Sequence, residues 1–368
     1  MKIPGLISDY FTPVIDNMLK NVRKTENISN ENFEKLMAEA GNEVFDILEE
    51  KCAEFFVNKY TLNDFKKQQG ISQRNSNTIV KIHEDFFHYF FAYLHTAHIV
   101  YNNLLNKLQA AKIEASELHL KDTFNLAIYG NLCRQAEQIG ILLTHGYTDE
   151  ALRLWRTFYE HAVVAAFLME HDSNEIAERF RDATIKENKR TVESYSKRHK
   201  DLKFPPLDAD LINKVTKEFE EAKLTYDKDF FENNYNWAKP YLKTKPSFNA
   251  LEEAVDFGRY RPFYIWASSK THPSYKGIMD FRDGKESIVL KHITIQETDR
   301  QSMVDPAQLT LGVFHDINSY FLLLYSGHEY EINLLLFRKL YDRFGETITA
   351  EKVNPKKKSE TRNKNIAE

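Results

Sequence analysis

The sequence predicts an all-α protein, a multi-helix bundle built from long antiparallel helices. Glycine and proline, the residues that interrupt helices, number only 12 and 10 in 368. Apolar side chains recur at three- and four-residue spacing over long windows, the period of a helix with one buried face. β-branched residues concentrate in one stretch, Ile288-Val-Leu-Lys-His-Ile-Thr-Ile295, leaving room for at most one short β element near residues 287–296. Hydrophobic residues at 42% and charged residues at 28% supply both a core and a solvated surface.

The elements follow in order. Residues 30–60 carry a stripe of Phe33, Leu36, Met37, Ala40, Val44, Leu48 and Cys52, which predicts one long helix. Residues 66–76 are rich in Gln, Asn and Ser and read as a linker or loop. A second helix is expected over 78–107. A third starts near Ser116, at Ser116-Glu-Leu-His, and runs to His145. Gly146-Tyr-Thr-Asp makes a tight helix–helix turn, with Thr148 as the expected N-cap and Asp149 and Glu150 set against the positive end of the next helix.

That helix continues to about His171. Ser173 caps another over residues 175–200, which Pro205-Pro206 ends. Residues 208–223 predict a shorter helix and 226–246 an aromatic, irregular stretch. Ser247 caps a helix over 248–257, and a further apolar helical stretch precedes His272. Pro306 opens a final long helix to about Phe344. The chain is read as an N-terminal helical region (1–112), a bundle domain (115–345) and a disordered basic tail (350–368).

Several classes fall away. The net charge of −4 provides no global field for nucleic acid, so any such binding uses a local patch. The apolar run at the N-terminus is too short for a signal peptide. Cys52 and Cys133 sit in helix-like apolar contexts and read as reduced core thiols of a cytoplasmic protein. Residues 86–106 lack charge over a length that spans a bilayer, yet His88, His95, His98, Asn102, Asn103 and Asn106 are expensive in lipid. A buried helix, with no membrane insertion, is the expectation. The three histidines lack a His-Glu-x-x-His pattern and read as a polar seam against a neighbouring helix; no metal and no cofactor is expected.

Two clusters could carry chemistry. In Arg153-Leu-Trp-Arg-Thr-Phe-Tyr-Glu-His161, Arg156 and Glu160 share a helix face with Arg153 beside them, and the hairpin at Gly146 is expected to bring Arg134 and Glu137 near. Such a group either fixes hairpin register or binds an anion, arginine being a bidentate donor. Residues 237–274 concentrate Trp237, Tyr264, Ser268, Ser269 and His272 among aromatic rings and arginines. His272 precedes a proline, which holds its backbone extended. No Gly-x-Ser-x-Gly elbow accompanies the serines, which argues against a serine hydrolase.

Arg156 and His161, with four residues between them, resemble the R-x4-6-H motif of HEPN-type ribonucleases, although Thr157 stands where that motif usually carries Asn or Asp. The resemblance implies a helical bundle, pairing of two copies, and RNA cleavage without metal, with histidine moving a proton and arginine stabilising the phosphate. On one helix the two side chains lie about 140° apart, so joint action needs a second helix or subunit.

Tyr235-Asn-Trp-Ala-Lys-Pro, the block Arg261-Pro-Phe-Tyr-Ile-Trp-Ala-Ser-Ser-Lys-Thr-His-Pro-Ser, Gly146-Tyr147 and Arg156-Thr-Phe-Tyr-Glu160 together resemble the bacterial domain-of-unknown-function family 5677. That resemblance implies a helical domain and no established activity; its motif residues fall here on Arg156, Glu160, Tyr264, Ser268 and His272. Two functions compete. One is an RNA-cleaving effector of toxin or phage-defence type, using Arg156, Glu160, His161 and His272 as catalytic residues and Arg153, Arg134, Tyr264, Ser268 and Trp237 to bind substrate. The other is a non-catalytic sensor holding a small anion or a protein.

Overall fold

The computed structural model describes residues 62–272 and 300–353, and among them every regular element is a helix. The ten α-helices are α1 (Leu62–Ile82), α2 (Glu84–Ala110), α3 (Leu120–Thr144), α4 (Thr148–His171), α5 (Asn174–Arg198), α6 (Ala209–Thr225), α7 (Phe248–Ala254), α8 (Arg261–Thr271), α9 (Arg300–Tyr325) and α10 (Tyr330–Val353). The chain divides into two compact units, residues 1–75 and 76–368. α2, read from sequence as part of an N-terminal region, packs inside the second unit against α3, α9 and α10. The helix expected over 30–60 with Cys52, the β element near 287–296 and the basic tail beyond residue 353 lie outside the described residues.

α4 is the centre of the bundle. It packs against α3, α8 and α9, and its Trp155, Phe158, Tyr159, Ala162, Val163, Ala166 and Phe167 are fully buried. Full burial of such rings at about 25 cal/mol per Å² of apolar surface makes this helix the main source of core stabilisation. α3 returns antiparallel to it through Gly146, whose φ of 73° is a left-handed conformation open to glycine at little cost.

α2 closes on α10 and α9 through rings. Phe86 lies 5.2 Å from Phe344, and Tyr93 lies 5.1 Å from Phe337. Tyr129 of α3 stacks on Phe321 of α9 at 3.6 Å. The buried amide of Asn318 satisfies two hydroxyls there: its Nδ2 donates to Tyr93 at 3.0 Å, and its Oδ1 accepts from Tyr129 at 2.6 Å.

Several boundaries differ from the sequence expectation. Residues 66–76 lie inside α1, because Lys, Gln and Arg are good helix formers despite the loop-like composition. The predicted 78–107 helix is split at His83, which leaves helical geometry with φ −119° and ψ 37° where no proline or glycine announces a break. The helix predicted from Ser116 begins at Leu120, after a short 3-10 turn over Ala115–Glu117. Thr148 is the first helical residue and not the cap, since Tyr147 occupies that position without a side-chain bond.

Ser173 and Ser247 do cap, accepting from Ile176 N at 3.3 Å and Ala250 N at 3.1 Å. Pro306 lies inside α9, where the burial of Met303, Ala307 and Leu311 outweighs its missing N–H. The single final helix is two, divided at Gly327 with φ 53°.

Among the described residues no helix is long and apolar enough to cross a membrane, and no group of three ligating side chains could hold a metal. His88 and His95 are exposed, so the expected polar seam against a neighbouring helix does not form. Cys133 is a buried free thiol that burial pushes up to about 12, hence inert.

Candidate functional site

α8 lies along α4, and its face toward α4 follows from helical spacing: Tyr264, Ala267, Ser268 and Thr271 stand at i, i+3, i+4 and i+7. Pro262 in the first turn presets the helix start. Across this seam Arg156 of α4 is held at three points. Its Nη2 pairs with Glu160 Oε1 at 2.9 Å and donates to the Tyr264 hydroxyl at 3.2 Å, and its Nε donates to Ser268 Oγ at 2.9 Å. Ser268 spends its own hydrogen on the Tyr264 carbonyl at 2.7 Å, which leaves its oxygen free to accept. Tyr264 in turn donates to Glu160 Oε1 at 2.7 Å.

Two edges of this network stay open. Arg156 Nη1 and Glu160 Oε2 have no partner among the described residues, and the side chains are 21% and 31% exposed. An unbonded N–H pair and an unbonded carboxylate oxygen therefore remain on two ion-paired, partly exposed side chains. Burial first, then the bond to Glu160, raises the Tyr264 phenol above its usual value, so it remains a proton donor at neutral pH.

Beneath lies a second network that sequence reasoning missed. Glu252 of α7 is fully buried, accepts from the Tyr159 hydroxyl at 2.8 Å and pairs with Arg261. Burial raises its carboxyl above the usual range. Tyr159 also reaches the Phe257 carbonyl at 2.9 Å. Arg261 opens the second motif block, yet nothing in the spacing signals a carboxylate nine residues earlier on a different helix.

His161 faces the other way. Its Nδ1 lies 3.3 Å from Asn131 Nδ2 and 3.1 Å from Gln135 Oε1, both on α3. Arg134, a donor only, bonds Asn131 Oδ1 at 2.7 Å. That orients the Asn131 amide with its NH2 toward His161 Nδ1, whereas the Gln135 carbonyl oxygen accepts from the same nitrogen, so the two contacts call for opposite tautomers of the ring. Burial lowers the imidazole pKa, so His161 is neutral at pH 7. Arg134 thus joins His161 through Asn131 and has no bond to Arg156.

The remaining predicted residues separate. Arg153 donates to the Lys270 carbonyl at 2.8 Å and meets Glu150, so it clasps the far end of α8. Trp237 is core: it packs edge-on against Phe167 at 5.7 Å and Phe180 at 4.9 Å, with 3% of its surface exposed, and no substrate reaches it. His272 is exposed just past the end of α8, one turn beyond Ser268, whose carbonyl accepts its N–H at 3.1 Å. It makes no hydrogen bond or ion pair with Glu160, whose Oε1 is held by Arg156 and Tyr264.

Residues 123–287 match the family of unknown function DUF5677. Within the described residues the match spans most of α3 and all of α4 through α8, so it contains both sides of the Arg156 seam. No curated protein and no solved structure matches the chain. The matched segment thus carries a helical fold and a built polar seam.

Proposed function

We propose that the DUF5677 segment is a recognition module that binds a ribonucleotide phosphate, in RNA, at the α4–α8 seam without cutting it. The observation that carries this reading is the pair of open edges on anchored groups. Arg156 Nη1 offers two N–H donors to a phosphate oxygen, and Glu160 Oε2, on the carboxylate paired with that guanidinium, takes a hydroxyl hydrogen, as a ribose next to that phosphate presents. Three bonds fix the guanidinium beforehand, so little side-chain entropy is lost on binding. Glu160 also offsets the Arg156 charge, which selects against a bare anion and for a ligand that satisfies both groups.

Arg156 and His161 diverge on α4, as the 140° separation requires, so the seam has no imidazole beside its cation to pass a proton to a leaving group. A second reading rests on Asn131, which bridges Arg134 to His161. Cleavage in the HEPN manner would then use Arg134 as the cation, with a neutral imidazole next to it.

One experiment separates them. Fluorescence anisotropy of a labelled short oligoribonucleotide gives the affinity, and a denaturing gel of the same sample reports its integrity. Saturable binding that weakens at least about tenfold in Arg156→Ala and for the 2′-deoxy oligonucleotide, with intact RNA, is the expected result. Equal binding by wild type and Arg156→Ala sinks the recognition reading. Cleavage lost in Arg134→Ala and His161→Ala would establish the second.

A further inference from the structure

We infer that the first two turns of α10 form a self-complementary surface that pairs two copies of this chain antiparallel. Ile332, Leu335 and Leu336 are 72%, 54% and 44% exposed, unusual for three large aliphatic side chains on one helix face. Beside them runs a groove of about 170 Å³ between α2, α9 and α10, lined on one half by apolar side chains such as Ile99, Leu104, Phe321 and Leu336 and on the other by polar ones, the Lys107–Glu329 pair among them. Its size suits one aliphatic side chain, and Ile99 at its rim is itself 46% exposed.

Charge selects a second copy as the occupant. Glu331 and Arg338 flank the apolar face seven residues apart, on the same edge of the helix. Both are exposed, and neither has an ionic partner among the described residues. Lys339, one residue on, is likewise exposed and unpaired. Antiparallel helices about a two-fold axis near Leu335 lay Ile332 of each copy against Leu335 and Leu336 of the other. The same alignment sets Glu331 across from Arg338, twice, by symmetry. Beyond Lys339 the face becomes polar with Asp342, Arg343 and Glu346, and Arg343 pairs with Glu346 inside its own helix. The contact therefore stays short, and the dimer is expected in the micromolar range.

Light scattering coupled to gel filtration, with sedimentation equilibrium from about 1 to about 100 µM, tests this on the full chain. The mass should rise with concentration from 43.2 kDa toward twice that value. Leu335→Glu, on an exposed side chain, should raise Kd at least about 30-fold with an unchanged circular dichroism spectrum. Glu331→Lys and Arg338→Glu should each weaken pairing by about fivefold, and the double exchange should restore it. A wild-type monomer at about 100 µM overturns the inference, as does a dimer indifferent to Leu335→Glu. A monomer that Leu335→Glu destabilises would assign the patch to another part of the same chain, and overturns it equally. Failure of the double exchange to outperform the single ones removes the antiparallel register.

Discussion

Tyr264 donates its hydroxyl hydrogen to Glu160 across 2.7 Å, joining two helices through residues 104 positions apart. Glu160 takes this bond and the Arg156 ion pair on the same oxygen, so the phenol and the guanidinium are held by one atom. Removing the phenol oxygen leaves the ion pair intact. Tyr264→Phe should therefore lower stability by only about 1 kcal/mol. Arg156→Ala strips three bonds and should cost more, about 2 kcal/mol, in urea denaturation. Equal costs would mean that the hydroxyl, and not the guanidinium, holds the seam.

Glu252 tests the layer beneath. Its carboxylate is fully buried and its cation, Arg261, is 36% exposed on its side chain, so the cost of stranding that cation is discounted for solvent. Glu252→Ala should destabilise by about 2–3 kcal/mol. Glu150→Ala, which breaks an exposed pair with Arg153, should stay within about 0.5 kcal/mol. Thermal melts of the two variants make the comparison directly.

Gly140 sets the distance between α2 and α3. A Cβ there would lie 2.8 Å from Phe90 and 2.9 Å from Phe91, and Phe90 is buried with no room to turn. Alanine gains about 1 kcal/mol of helix propensity but overpacks the site at a cost of about 1–3 kcal/mol. Gly140→Ala should therefore lower Tm; a rise would show that the rings yield.

Burial holds His161, His171 and His315 below the usual imidazole value. Each binds its proton less well in the folded state, so folded stability falls as pH drops below about 6.5. Asp316 and Glu252 work in the opposite sense, because burial raises both carboxyls and the folded state holds those protons more tightly. Comparison with His161→Gln isolates the histidine. Wild-type Tm relative to that variant should decline between about pH 7.5 and about pH 5.5. A constant difference across that range would place the His161 pKa at its unfolded value.

The helical architecture was legible in the residues themselves. Periodic apolar stripes, few glycines and prolines, and capping serines at 173 and 247 are local signals, and helices are made by local bonds. Arg156 and Glu160 were legible as a pair for the same reason, since four residues is one helical turn. The motif blocks also pointed to Tyr264 and Ser268. What only tertiary structure decided was direction and company. Burial outweighed Pro306 inside α9, turned Trp237 into the core, and sent His161 toward Asn131 and Gln135 while Arg156 met α8. Glu252 was invisible because its meaning lies in desolvation, which depends on every element packed around it and on no spacing along the chain.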